Sequence, residues 1–246
     1  MKNYLLKLAD DTLIMGQRLS EWCGKGPYLE EDIALTNIAL DYLGQSNHLY
    51  EYASQLSEEG KTADDFAFLR YEHEYLNAQF VELPNGDYAQ TILKVYFFAL
   101  YQKELYTALL SSADETLAGI AEKSIKEVRY HYTHALMWLE IMKEGSSESK
   151  ERLLQALENL WEYTGGLFEE TEGEENLTQL NLSADREKLK TSWELSLTKD
   201  FNALGLEVPK NEFMQKGSRK GVHTEYFGYI LCELQYMQRA YPGCEW

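Results

Sequence analysis

The chain has 246 residues and a formal net charge of −18, with 44% hydrophobic and 26% charged residues. These figures describe a globular chain, neither disordered nor membrane-embedded. The charge excludes duplex nucleic acid and argues against an anionic membrane surface, because both are held by clustered Lys and Arg. Simple solubility accounts for the acidity; docking to a basic partner is the alternative.

No proline occurs between Pro84 and Pro209, and so long a gap favours helix, since proline removes a backbone donor and clashes with the preceding turn. The three cysteines, Cys23, Cys232 and Cys244, are odd in number and lack CxxC spacing, which points to reduced thiols rather than a disulfide framework or a zinc site. No run approaches the about 18 apolar residues of a membrane span. Asp10 and Asp11 stand where a signal peptide would be apolar. The expectation is a cytoplasmic protein.

Helical periodicity runs through the chain. Leu5, Leu8, Thr12, Met15, Leu19 and Trp22 form a first stripe. Leu35, Ile38, Tyr42, Gln45, Leu49, Tyr52 and Leu56 form a second, after a Gly24–Pro27 break and the acidic start Glu30, Glu31, Asp32. A short helix is expected from about Ala63 to Phe80 behind a Thr62 cap, then a turn at Leu83–Gly86. A third long helix begins near Asp87 with Ile92, Tyr96, Ala99, Tyr106 and Leu110 on one face. A fourth begins after Ser112 or Asp114, carries Ala121, Ile125, Val128, Tyr132, Ala135, Leu139 and Met142, and ends at Gly145. Helices over about 150–169 and 184–204 flank an acidic loop around Thr171–Asn176. A final helix over about 222–239 carries Phe227, Ile230, Leu231, Leu234 and Met237. The reading is all-α, one domain over 1–246, with a four-helix core of shallow crossing angles and additional peripheral helices.

A four-helix core of this kind is a common frame for a carboxylate-bridged metal pair, which needs a Glu from each of two helices and a Glu-x-x-His from each of the other two. The five histidines allow a complete census. His48 follows Gln45 at that spacing, His73 follows Arg70, His131 follows Val128, His134 follows His131 and His223 follows Lys220. No Glu-x-x-His exists. Glu127 and His131 stand at i, i+4 and read as a surface helix pair or as ligands to one metal. His131 and His134 read as core and rim histidines or as zinc ligands lacking a third partner. There is no G-x-S-x-G, P-loop or G-x-G-x-x-G. The densest basic cluster is Lys216-Gly217-Ser218-Arg219-Lys220, with His223 close behind. Set ahead of a helix, it is a candidate contact for acidic residues of a partner or for a phosphate, and otherwise a solvated loop.

Four long segments carry a resemblance: EWCGKGPYLEEDIALTNIALDYLGQS (21–46), LPNGDYAQTI (83–92), KEVRYHYTHALMWL (126–139) and KGVHTEYFGYILCELQYMQRAYPG (220–243). Across essentially its whole length the chain resembles the C subunits of bacterial phenylacetyl-CoA oxygenase (epoxidase) complexes. The resemblance implies a ferritin-like fold and a structural role in aerobic phenylacetate breakdown, beside a related A subunit that carries a di-iron centre. It implies no metal or other cofactor on this chain, and a place in an oligomeric complex with the A subunit and other components. Its phosphate-bearing substrate would make the CoA phosphates one anion for Lys216, Arg219, Lys220 and His223. In the catalytic relative the second helix has D-E-x-G-H where this chain has Asp41-Tyr42-Leu43-Gly44-Gln45, and the fourth has K-E-E-x-x-H where it has Lys126-Glu127-Val128-Arg129-Tyr130-His131. By that correspondence Tyr42, Gln45 and Val128 replace ligands and His131 remains. The third-helix carboxylate falls near Ala99, and Glu21 retains the first-helix one. The expectation is an inward polar cluster of Tyr42, Gln45, Glu21 and His131, with Lys103 as a further member or a surface lysine. Apolar surface for pairing with the A subunit or with a second copy is also expected, from 5 tryptophans and 18 tyrosines. Two rivals stay open: a free-standing oxidase with a rearranged site of Glu21, Glu127 and His131, and a generic helical adaptor.

Overall fold

The computed structural model describes residues 1–244, and no strand occurs among them. In chain order the helices are α1 (Lys2–Ser20), α2 (Leu29–Gln55), α3 (Ala63–Phe68), α4 (Gln79–Glu82), α5 (Tyr88–Leu109), α6 (Glu115–Glu144), α7 (Ser147–Trp161), α8 (Glu174–Gln179), α9 (Arg186–Leu204) and α10 (Glu225–Ala240). The chain divides into two compact units that interleave in sequence. The first holds Met1–Pro84, Thr171–Glu174 and the chain from Gly217; the second holds Asn85–Glu170 and Glu175–Lys216. Each is built on a hairpin of two long helices with shorter ones against it, the elements of the ferritin-like class.

In the first unit α1 lies along α2, and α3, α4 and α10 pack against this pair. Every residue of α1 from Tyr4 to Gly16 is buried, Lys7, Asp10 and Asp11 included, so its polar side is enclosed along with its apolar one. The break before α2 depends on Gly26: its backbone N–H donates to Asp32 Oδ2 at 2.9 Å, and a Cβ there would meet Asp32 at 2.6 Å. At the far end of α2 the expected stripe frays, since Leu56 is exposed at the C-cap.

The helix expected over 63–80 is three pieces. Thr62 and Asp65 close a capping box that starts α3, but α3 stops at Phe68, a 3₁₀ turn covers Glu72–Glu74, and α4 begins only at Gln79. The reason is competition for backbone donors. The Leu76 and Ala78 N–H groups donate to Asp10 Oδ2 and Asp11 Oδ1, both at 2.7 Å, and so are not available to carbonyls four residues back.

In the second unit α5 is central, buried at every residue from Thr91 to Gln102 and packed by α6, α7 and α9. Asp114 caps α6 by accepting from the Leu117 N–H at 2.9 Å. The expected helix over 150–169 is α7, capped by Ser146, followed by a 3₁₀ turn over Thr164–Phe168. The expected acidic loop instead opens α8 at a buried Glu174. The expected stripe of the last helix changes course: Phe227, Ile230 and Leu231 are buried, but Gln235 is buried beyond them while Met237 is exposed.

An aromatic cluster holds the second unit. Phe97 lies 5.9 Å from Trp193 and 6.2 Å from Trp161, and Phe168 meets Trp193 edge-on at 5.4 Å. The Trp193 indole N–H donates to the Phe97 carbonyl at 3.3 Å. Asp200 accepts from Tyr96 at 2.9 Å and Tyr132 at 2.6 Å, and burial, then the neighbouring carboxylate, holds the Tyr96 phenol well above its ordinary value. Trp193→Ala removes the ring that three others touch and should cost about 3–5 kcal/mol in denaturant unfolding; a loss below about 1 kcal/mol would show that the cluster is not the unit's core.

Candidate functional site

Of the positions that the resemblance matches to metal ligands, those on α2, α5 and α6 fall on buried faces. Tyr42 is 0% exposed and Gln45 2% exposed on α2, in the first unit; Ala99, Val128 and His131 are each 0% exposed on α5 and α6, in the second. Neither the phenol and amide of the first unit nor the two aliphatic side chains and single imidazole of the second are a donor set for metal cations, which need carboxylates to neutralise them. Among the described residues no group of three or more His, Cys, Asp or Glu side chains is placed to hold a metal ion.

Glu21 departs from its expected inward place. The chain leaves α1 at Ser20, Glu21 is the C-cap, and its side chain is 38% exposed, accepting from Arg18 at 2.7 Å. Lys103 is at the rim, with its ammonium 3.3 Å from Glu104 and 4.3 Å above the Tyr132 ring; the wholly buried lysine of α5 is Lys94. Glu127 is half-buried, and His134 is buried one turn beyond His131, its ring 5.9 Å from that of Tyr130.

The basic cluster is divided in a way its spacing does not show. Lys216 and Lys220 are exposed. Arg219 is 3% exposed and points inward, giving two charge-assisted hydrogen bonds to Asp11, at 2.7 and 2.8 Å, and one to the Leu76 carbonyl at 2.8 Å. Gly221 permits this, with φ of +72° and no Cβ to collide with the His73 carbonyl oxygen. The His223 side chain is 1% exposed, with Nδ1 2.6 Å from Glu82 Oε1, Nε2 3.2 Å from the Tyr75 carbonyl and its ring stacked on Phe227. Arg219 and His223 are therefore turned away from the surface, and buried carboxylates of their own unit hold them.

These contacts belong to a polar system on α1 that periodicity did not reveal. Asp10, wholly buried, pairs with Arg70 and accepts from the Tyr50 hydroxyl. Burial opposes the Arg70 charge, but Asp10 and Tyr50 more than offset it and hold the guanidinium above its ordinary value. Burial and then Asp10 push the Tyr50 phenol well up. One turn earlier Lys7 pairs with Glu174 at 2.5 Å, and Glu174 Oε2 accepts from the Thr171 N–H and hydroxyl. Burial pulls the Lys7 ammonium below the lysine range against the pull of Glu174. Glu82, 0% exposed, accepts from Asn77 at 2.7 Å and from the Thr224 N–H and hydroxyl, both at 2.7 Å, while its carbonyl takes two bonds from Arg18. A signal for this system was present: Lys7, Asp10 and Asp11 interrupt a stretch, Tyr4 to Met15, that is otherwise almost wholly apolar.

Two outcomes test the system. Arg219→Ala leaves the Asp11 charge buried without its partner and should cost about 3–5 kcal/mol, whereas Asp11→Leu/Arg219→Met together should cost far less; equal losses in a double-mutant cycle would refute the pairing. Burial first, against the opposing Arg70 charge, pushes the Tyr75 phenol up to about 12 from 10.0. The folded state thus holds this proton more tightly than the unfolded chain, so the contribution is full below pH 10 and is lost as pH rises toward 12. Tyr75→Phe should flatten that alkaline loss in pH-dependent melting curves, and an unchanged slope would contradict it.

The whole chain, residues 1–246, matches the family model described as phenylacetic acid catabolic protein. It is similar to the C subunit of the 1,2-phenylacetyl-CoA epoxidase of Escherichia coli (strain K12), with 41% identity over 243 residues that cover 99% of this chain and 98% of that one. A match over the full length, together with a relative at that identity, shows the lineage: this chain belongs to the phenylacetic acid catabolic protein family.

Proposed function

We propose that this chain is the non-catalytic subunit of a multicomponent phenylacetyl-CoA oxygenase in aerobic phenylacetate catabolism. It supports an A-type subunit that carries the di-iron centre, and binds no metal itself. One observation carries this reading: the five positions matched to ligands on α2, α5 and α6 are buried, yet only His131 keeps a ligand side chain. In neither unit do those positions supply a carboxylate, so a cation held by either set would leave buried charge uncompensated. The similarity to the C subunit of an epoxidase supplies the reaction class and the expectation of partner chains. No helix among the described residues is long and apolar enough to cross a membrane. Lys216 and Lys220 keep the role of surface cations, for acidic residues of a partner or for CoA phosphates.

The test has two readouts. Elemental analysis of the chain, purified alone after equilibration with Fe(II), should find far less than one iron, manganese or zinc per chain. Co-expression with an A-type subunit should raise the yield of that subunit and support ring oxidation of phenylacetyl-CoA when reductant is supplied. A metal pair on the isolated chain, or turnover by it alone, would overturn the reading.

A further inference from the structure

The solvent face of α2 does not look like a solvent face. Charged residues make up 26% of the chain, yet from Ile33 to Tyr50 Asp41 is the one acidic or basic residue apart from His48. Leu29 (73% exposed), Ile33 (52%) and Leu40 (58%) project outward from this helix. Asn37, Gly44 and Asn47 continue the same row at steps of three and four, and all three are exposed. The exposed side of α10, by contrast, carries Glu225, Glu233 and Arg239 among its tyrosines, the usual mixture for a wetted helix.

Gly44 adds an independent observation. Glycine in a helix interior is less favourable than alanine, because its backbone has more freedom to lose. Where the fold demands glycine, a neighbouring atom occupies the space of the missing Cβ, as Asp32 does at Gly26. At Gly44 nothing in the chain lies within 4 Å of that space. The absent side chain serves no contact within the chain and leaves room for close approach from outside.

We infer that the row Leu29, Ile33, Asn37, Leu40, Gly44 and Asn47 seats a helix of a partner subunit, with the two helices crossing at Gly44. This rests on the proposed role as a subunit and names the surface that serves it. The occupant's chemistry follows from the ends of the row. Glu30 and Glu51 are exposed there, so a second copy paired across this face would bring acid against acid in either orientation, in a chain already at −18. The fitting partner is a helix with small or apolar side chains at its centre and Lys or Arg toward its ends, which steer its approach and fix its register.

The full-length chain, co-expressed with the A-type subunit, tests this. Gly44→Leu and Leu40→Glu alter exposed positions, so both variants should keep wild-type circular dichroism and melting temperature. Each should bind the A-type subunit ~30-fold more weakly, as loss of a central anchor does. Glu51→Lys should slow association, by a factor that shrinks as salt is raised. Wild-type affinity in both folded variants would overturn the assignment of this face while leaving the subunit reading intact. A wild-type homodimer that Gly44→Leu converts to monomer, with A-subunit binding unchanged, would give the face to a second copy and also overturn it. Failure of the wild-type chain to bind the A-type subunit would overturn the subunit reading and this assignment together.

Discussion

Two adjacent carboxylates at the centre of a buried helix set the terms for the whole first unit. Asp10 and Asp11 are 0% and 2% exposed, and neighbours on a helix point about 100° apart, so the two must be neutralised by different parts of the chain. Asp10 takes Arg70, Tyr50 and the Leu76 amide; Asp11 takes Arg219 and the Ala78 amide. The 70–78 segment and the start of the C-terminal segment are thereby tied to α1 at fixed residues. A buried ion pair adds little stability beyond an apolar pair of the same volume. Its effect is on alternatives: any other docking of these segments leaves a bare charge in the core. That constraint explains why a stretch with helical composition is broken into α3, a 3₁₀ turn and α4.

The second unit solves the same problem of a wholly buried central helix by another means. Around α5 the contacts are mainly rings, with Phe97, Trp161, Trp193 and Phe168 meeting at offset and edge-on angles that suit aromatic quadrupoles. Asp200 meets two phenols rather than a guanidinium, so its register is carried by shape and neutral donors. The two central helices, one charged and one aromatic, differ in what each excludes from its surroundings.

The functional reading depends on which buried positions have changed chemistry while remaining buried. The resemblance matches Tyr42, Gln45, Ala99 and Val128 to ligand positions, and all four are buried. An interior keeps its packing only where neither voids nor bare polar groups are left, because both are costly. A frame retained without its donors fits a subunit whose task is shape, and the uncharged outer face of α2 is where such a subunit would present that shape.

Much of this was readable from the residues. The spacing of apolar side chains determined the four long helices and the last one. The acidic and Thr or Asp caps marked their starts, and the census of histidines determined that no Glu-x-x-His site exists, because these depend on neighbours within a few residues along the chain. Tertiary structure alone decided that Glu21 faces solvent, that Arg219 and His223 turn inward while Lys216 and Lys220 do not, and that Lys7, Asp10, Asp11 and Glu82 are buried. The buried charges among these depend on partners far away in sequence, such as Asp11 for Arg219 or Glu82 for His223. A charged side chain reads as exposed until the counter-charge that can hold it in the core is known, and no local pattern contains that information.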